Sequence, residues 1–501
     1  MLATVQSATL TGVRGHKVEV EVHAPNGGLP GFNVVGLPDA SCREARDRVR
    51  AALLSSGFDW PNRRITVNLA PSGLKKTGAG LDLAIAIGLL AASEKIDPAS
   101  VTNHGFLGEL GLDGSVRPVV GALPMADAIN ADRLVVAPEN AEEVSLLGRK
   151  KVHAMGTLSH VLACLEGIEP WPDTVEAPAA ELTQDLPDLS EIRGQRTAKL
   201  ALEIAAAGGH HLLMVGPPGA GKTMLARRLP SLLPPLSSNE ALETTRVHSA
   251  AAQLGASSVL CSTPPFRSPH HGASAVSLVG GGSATMRPGE LSLAHRGVLF
   301  LDELGEFTSA ALDGLRQPLE EGEVRVSRGQ GSVLYPARVL LVAAMNPCPC
   351  GESGAPGACR CTDAARARYH RRVSGPLLDR FDLRIGVQRP SSAELFGGPQ
   401  GEVSTAVAER VSAARQRAVE RSRLNVQLGT DELDELAPLG ETARGILERS
   451  VEQGQLSARG VGRVRAVALT IADLAGETPP ITPEQICLAM SLRVDPFGGR
   501  S

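Results

Sequence analysis

The residues best suited by type and spacing to act on a phosphoanhydride are Lys222 and Thr223. They close Gly216-Pro217-Pro218-Gly219-Ala220-Gly221-Lys222-Thr223, a full G-x-x-x-x-G-K-[ST] pattern. Glycines at these spacings let successive backbone N–H groups turn inward around phosphate oxygens, and the amino end of a following helix adds partial positive charge. Lys222 is then expected to neutralise the β- and γ-phosphates of ATP, and Thr223 to ligate Mg2+. A second stretch, Gly297–Leu301, leads into Asp302 and Glu303. Asp302 is the expected holder of the metal through water, and Glu303 the residue that polarises the water attacking the γ-phosphate. A site that only bound nucleotide would have no use for the second carboxylate.

Each pair needs a particular support. The phosphate pattern must lie between a strand and a helix, and the apolar run Leu212–Val215 and the helical-looking Met224–Leu229 supply both. Gly297–Leu301 is too short for a comfortable helix and reads as a buried strand that delivers its acids at the carboxyl end. The expected core is therefore an α/β layer structure.

Other residues join this site from further along. Between the two motifs, Arg267–Arg296 is dense in His, Gly and Ser. His270-His271 suggests a metal, but adjacent histidines do not easily bind one ion and no third ligand is suitably spaced, so a structured loop is the better reading. Gly280-Gly281-Gly282 is expected to form a flexible tip. After Glu303 a helix is expected through Leu319, then two strand-like runs, Glu323–Ser327 and Ser332–Ala344, flanking Arg328-Gly329-Gln330-Gly331: a hairpin with a cation at its tip. The second run leads to Asn346, either an amide beside the γ-phosphate or a strand-end turn residue.

Cys348, Cys350, Cys359 and Cys361 are four of the eight cysteines in the chain. Two pairs of thiolates suit a tetrahedral structural Zn2+, although the usual spacing within a pair is two to four residues and here one residue intervenes. A reduced or redox-sensitive loop is the alternative.

The chain has 501 residues, too many for one core, and three domains are expected. Hydrophobic residues make up 43% and charged residues 21%, ordinary for a soluble globular protein. A net charge of −4 leaves no overall basic excess, so nucleic-acid binding must come from local patches or from charge concentrated by assembly. Aromatic residues, at 3%, are too few for a surface that stacks bases on rings. The sequence opens without a charged-then-apolar leader and has no apolar run approaching ~18 residues. A cytoplasmic location with no membrane partner is expected.

Residues 1–172 alternate apolar strands (Lys17–Val22, Asn33–Val35, Ile65–Leu69, Leu134–Val136) with amphipathic helices (Ala40–Ser56, Leu81–Ala92, Leu123–Ile129), giving a mixed α+β or α/β domain. Leu74–Ala92 and Gly108–Val144, the latter opening with GELGLDGSVRPVVGAL, resemble the S5-type proteolytic domain of Lon proteases. That chemistry needs a serine activated by a lysine. The resemblance puts Gly80 at the serine position and Pro124 at the lysine position, so it implies a docking or assembly module without the dyad. Ser72 with Lys75 or Lys76 is a displaced alternative, in a Pro/Gly turn better read as a solvated loop. Residues 173–189, rich in Pro, Ala, Glu and Asp, read as a linker. The core is expected over 190–392, followed by a connector over Pro390–Gly401 and a helical lid over 402–497.

Gly194-Gln195, the phosphate loop, the run FRSPHHGASAVSLVGGGSATMRPGELSLAHRGVLFLDEL and the later SGPLLDRFDL together resemble the Mg-chelatase-like family of AAA+ ATPases, in its ComM/YifB group, almost end to end. The resemblance implies a hexameric ring with ATP between subunits and DNA, branched or single-stranded, in the channel. It implies a branch-migration helicase used in recombination during natural transformation. It also implies roles for single residues. Asn346 would be sensor 1, and Arg380 an arginine finger reaching the neighbouring subunit, against the alternative of pairing with Asp379 or Asp382. Arg459, with Arg463 one turn on, would be sensor 2, against an ordinary solvated arginine. The insertion loop, and Arg325 and Arg328 on the hairpin, would contact DNA, against the same alternative. A Mg-chelatase-type motor remodelling a protein partner is the second reading, and an ATP-dependent protease, opposed by Gly80 and Pro124, the third.

Overall fold

The computed structural model describes residues 1–494 apart from 26, 28, 179–185, 255–258, 283–285, 329–330, 353–358 and 398–400. It is a mixed α/β structure with two main sheets and a set of C-terminal helices.

The first sheet has seven strands in the order Gly31–Val35, Arg64–Ala70, Arg14–His23, Leu2–Thr11, His104–Leu107, Arg133–Val136, Lys151–Ala154. Leu2–Thr11, which sequence reading missed, pairs antiparallel with Arg14–His23 along its whole length. Its side chains alternate between exposed and buried at the start, the period-2 pattern of a half-covered strand. Ala40–Ser55 begins at Asp39, whose side chain accepts from the Cys42 N–H, and Asp82–Ala92 is buried at every position. Gly80 lies in the turn before that helix, and Pro124 is buried inside Ala122–Ala128. Ser72 and Lys75 are exposed, but Lys76 is not solvated: it is fully buried, and its ammonium donates to the Pro71 carbonyl.

The second sheet is parallel, in the order Phe266–Arg267, Val298–Leu301, Leu340–Met345, Leu212–Val215, Leu383–Gly386. Its three inner strands are buried at every residue, as a parallel sheet covered on both faces requires. The run Ser332–Ala344 is not one strand. It splits into Gly331–Pro336, which pairs with Glu323–Arg328 in the hairpin, and Leu340–Met345, which enters the core sheet. The stretch to Leu319 is likewise broken, into short helices at Ser309–Asp313 and Arg316–Glu321.

The C-terminal helices are Ser404–Glu420, Thr430–Leu436, Glu441–Glu452, Ala458–Ala475 and Pro483–Ser491. Val407, Val464 and Leu469 on them share one buried cluster with Leu202 of the helix Arg196–Gly208 and with Leu212 and Phe300 of the second sheet. Each such side chain contributes ~1.5–3 kcal/mol on burial, so these helices are fastened to the core, not hung from it. The segment expected as a plain connector carries a short helix, Ser392–Gly397. Among the described residues no helix is long and apolar enough to cross a membrane.

The candidate nucleotide site

The phosphate-loop pattern leaves the strand Leu212–Val215 and enters the helix Lys222–Arg227. Two positions there favour glycine for different reasons. Gly221 has φ +87°, a left-handed conformation that other residues adopt at a cost, and a Cβ on Gly216 would lie 2.0 Å from the Val387 carbonyl oxygen. Gln195 braces the loop from outside, its side-chain amide donating to the carbonyls of Ala220 at 3.0 Å and Gln388 at 2.6 Å.

Because the neighbouring parallel strands Val298–Leu301 and Leu340–Met345 end on the same side as Leu212–Val215, they bring Asp302, Glu303 and Asn346 to the loop. The result is a cavity of about 440 Å3 lined by Pro218–Met224, Asp302, Glu303 and Ala344–Asn346. Lys222 donates to the carbonyls of Gly216 at 2.6 Å and Pro217 at 2.9 Å and to Asn346 Oδ1 at 3.2 Å. Burial pushes its ammonium below the ordinary lysine range, with Asp302 opposing the shift. A buried cation without a full counter-charge is matched by a polyanion such as a triphosphate. Thr223 Oγ1 donates to Asp302 Oδ2 at 2.7 Å, so the two expected metal-holding groups already share one locus. The all-oxygen character of that pair suits Mg2+.

Glu303 sits at φ +53°, a left-handed conformation uncommon for a side chain of its size. Its carboxylate meets His271 Nδ1 at 2.9 Å, and the His270 and His271 rings lie 4.0 Å apart. His271 therefore belongs to the rim of this site, which sequence reading did not foresee. The only signal was the density of polar residues in the insertion. Arg389 was also missed: its Nε donates to the Pro218 carbonyl at 3.0 Å, and its guanidinium pairs with Glu352 at 2.8 Å. Nothing local marks it, since it reaches the loop only because Leu383–Gly386 is the strand beside Leu212–Val215.

The remaining expected residues lie outside the cavity lining. Arg380 is mostly buried and pairs at 2.5 Å with Glu320 on Arg316–Glu321. It pairs with neither Asp379, which takes Arg384, nor Asp382, which takes His210 and Arg463. Arg459 is exposed in the first turn of Ala458–Ala475, whose amino end Ser457 caps. Arg325 is exposed on the hairpin and 3.8 Å from Glu323, and the side chain of Arg328 lies outside the described residues. Gly280 and Gly281 are not a free tip: they pair with Arg287–Pro288, and residues 283–285 beyond them lie outside the described set.

The four clustered cysteines come together despite their narrow spacing. All four sulfurs lie within 4.8 Å of one another, with Cys348 to Cys350 at 3.3 Å, Cys348 to Cys359 at 3.8 Å and Cys350 to Cys359 at 3.7 Å. Backbone N–H groups of Glu352 and Arg360 help draw the Cys350 thiol down to about 6.

Residues 188–395 match the family described as magnesium chelatase, subunit ChlI; residues 18–140 match subunit ChlI of Mg-chelatase, and 401–493 its C-terminal part. The chain is 44% identical to the competence protein ComM of Haemophilus influenzae over 491 residues, which is 96% of each chain. It is 44% identical to the uncharacterized protein YifB of Escherichia coli over 500 residues, 98% of this chain and 97% of that one. Similarity to the magnesium-chelatase 38 kDa subunit of Rhodobacter capsulatus is 30% over 223 residues, 41% of this chain and 57% of that subunit.

Proposed function

The chain belongs to the Mg-chelatase-like family of AAA+ proteins, in the group that includes ComM and YifB, and from that premise we propose that it is a ring-forming ATPase motor that acts on DNA. The observation that carries the ATPase reading is the convergence of Lys222, Thr223, Asp302, Glu303 and Asn346 on one cavity. Lys222 holds the β- and γ-phosphates, and the loop N–H groups from Gly219 to Thr223 cradle them. Thr223 and Asp302 are the residues that would hold Mg2+, which when bound neutralises charge on the β- and γ-oxygens. Glu303 orients and polarises the attacking water, and Asn346, tethered to Lys222, positions the γ-phosphate end.

Arg380 acts across the subunit interface. It reaches a neighbour's γ-phosphate by exchanging its bond to Glu320, a surface carboxylate, for the transferring phosphoryl group. Arg459 is the lid residue assigned to sensor 2. The hairpin, with Arg325 and Arg328, and the insertion around Gly280–Gly282 face the channel of a hexamer and contact DNA, branched or single-stranded. The similarity to ComM supports branch migration as the motor's work. Residues 1–172 serve as a Lon-like docking module without proteolytic chemistry, 173–189 as the linker, 190–392 as the core and 402–497 as the lid. The four cysteines hold a structural Zn2+. Cytoplasmic action follows from a DNA partner.

ATPase rates measured with single-stranded, duplex and four-way DNA, together with mass determination with and without ATP, test this reading. Stimulation by branched DNA and an ATP-dependent rise in mass support it. The similarity to a magnesium-chelatase subunit favours one competitor, a motor that remodels a protein partner, and an ATPase indifferent to every DNA form would turn the assignment that way.

A further inference from the structure

The cysteine cluster is not remote from the nucleotide cavity. Cys348 follows Asn346 by a single proline, and both lie just past the end of the strand Leu340–Met345. Gly351, in the turn closed by its N–H bond to the Cys348 carbonyl, packs so tightly on the phosphate loop that a Cβ there would stand 2.5 Å from Pro218 Cδ. Beside it, Glu352 pairs with Arg389, and Arg389 donates to the Pro218 carbonyl. The cluster thus touches the loop from both directions: through the chain to Asn346 and Lys222, and through Gly351 and Glu352 to Pro218.

Four sulfurs at corners of a tetrahedron with ~2.3 Å metal bonds stand ~3.8 Å apart. Three of the sulfurs stand 3.3, 3.7 and 3.8 Å apart and Cys361 lies within 4.8 Å of each of them, a spacing that closing on one ion would complete, and softness of thiolates selects Zn2+ over Mg2+. We propose that a zinc ion held by Cys348, Cys350, Cys359 and Cys361 is a wall of the nucleotide site: it fixes Asn346 and the outer face of the phosphate loop, so nucleotide affinity depends on the ion. The inference rests on the phosphate-loop reading given above. It makes the cluster a control point at which metal loss or thiol oxidation silences nucleotide binding without touching a phosphate ligand.

The test uses the full chain purified without chelator. Zinc is released with a mercurial and counted, and binding of a fluorescent ADP analogue in excess Mg2+ is compared for three samples: zinc-replete protein, protein stripped with a zinc-selective chelator, and stripped protein resupplied with zinc. Circular dichroism checks that the stripped chain stays folded. The expected result is about one zinc per chain, a tenfold or greater loss of nucleotide affinity on stripping, and recovery on resupply, with Cys359→Ser behaving like the stripped protein. A chain that takes up no zinc overturns the metal assignment. Zinc removal that leaves affinity unchanged overturns the coupling. If the zinc-replete protein binds no nucleotide, the phosphate-loop reading falls, and this inference with it.

Discussion

His271 Nδ1 lies 2.9 Å from Glu303 Oε2, joining the insertion that follows the first core strand to the carboxylate at the end of the second. An ionised carboxylate only accepts, so a hydrogen bond across this contact requires the proton on Nδ1. Glu303 is thereby held by a group other than water. His271→Ala should raise the basal ATPase rate several-fold, because a hydrogen bond to a charged group is worth ~1.5–3 kcal/mol at most. KM should change little, since no phosphate contact is removed, and His271→Asn, which keeps a donor, should return the rate toward wild type. Steady-state kinetics on the three proteins decides it, and a fall in rate for His271→Ala would refute the restraining role.

Glu303→Gln keeps the shape of the site and removes the base. Turnover should drop ~10²-fold or more while ATP binding and assembly persist. Lys222→Ala should instead lose binding itself, because it deletes the cation that faces the phosphates. Nucleotide titration beside ATPase assays separates the two, and near-normal turnover in Glu303→Gln would remove that residue from its role.

Arg380 spends its charge on Glu320 within the protomer. If it acts on a neighbour's phosphate, mixing Arg380→Ala with Lys222→Ala subunits should restore part of the activity that each lacks alone, because some interfaces then combine an intact loop with an intact arginine. Glu320→Ala, which frees the guanidinium, should not inactivate. No recovery at any mixing ratio would speak against action across an interface.

Glu243, on the helix Ser238–Ala250, accepts from His295 at 3.0 Å and from Arg296 at 3.2 Å, two residues just before the strand Val298–Leu301 that leads to Asp302 and Glu303. The His295 hydrogen bond, opposed by burial and joined by the charges of His295 and Arg296, holds its carboxyl down to about 2. A carboxyl depressed in the folded state contributes stability that is complete above its unfolded pKa, ~4.3, and is lost as pH falls toward 2. Glu243→Gln should therefore lower the thermal midpoint at pH 7, and the gap from wild type should narrow as pH is taken below ~4.3. A gap that stays constant across that window would show the contact to be packing and not charge.

Much of this protein is legible one segment at a time. The phosphate loop is readable because its residue spacing is a local pattern, the acidic strand because four buried apolar residues followed by two acids is a local pattern, and the strands and helices of the front region because their periodicity is local. The breaks in Ser332–Ala344 and in the stretch to Leu319 were not readable, since β-rich runs on either side of Ala337–Val339 look alike until one enters the core sheet and the other a hairpin. What only the tertiary structure decided is which strands stand side by side. The order that sets Leu340–Met345 between Val298–Leu301 and Leu212–Val215 gathers Asn346, Asp302 and Lys222, and the same order brings Arg389 to Pro218 and His271 to Glu303. Those partners are far apart along the chain, and side-chain chemistry acts over a few ångströms, so their meeting depends on packing that no single segment encodes.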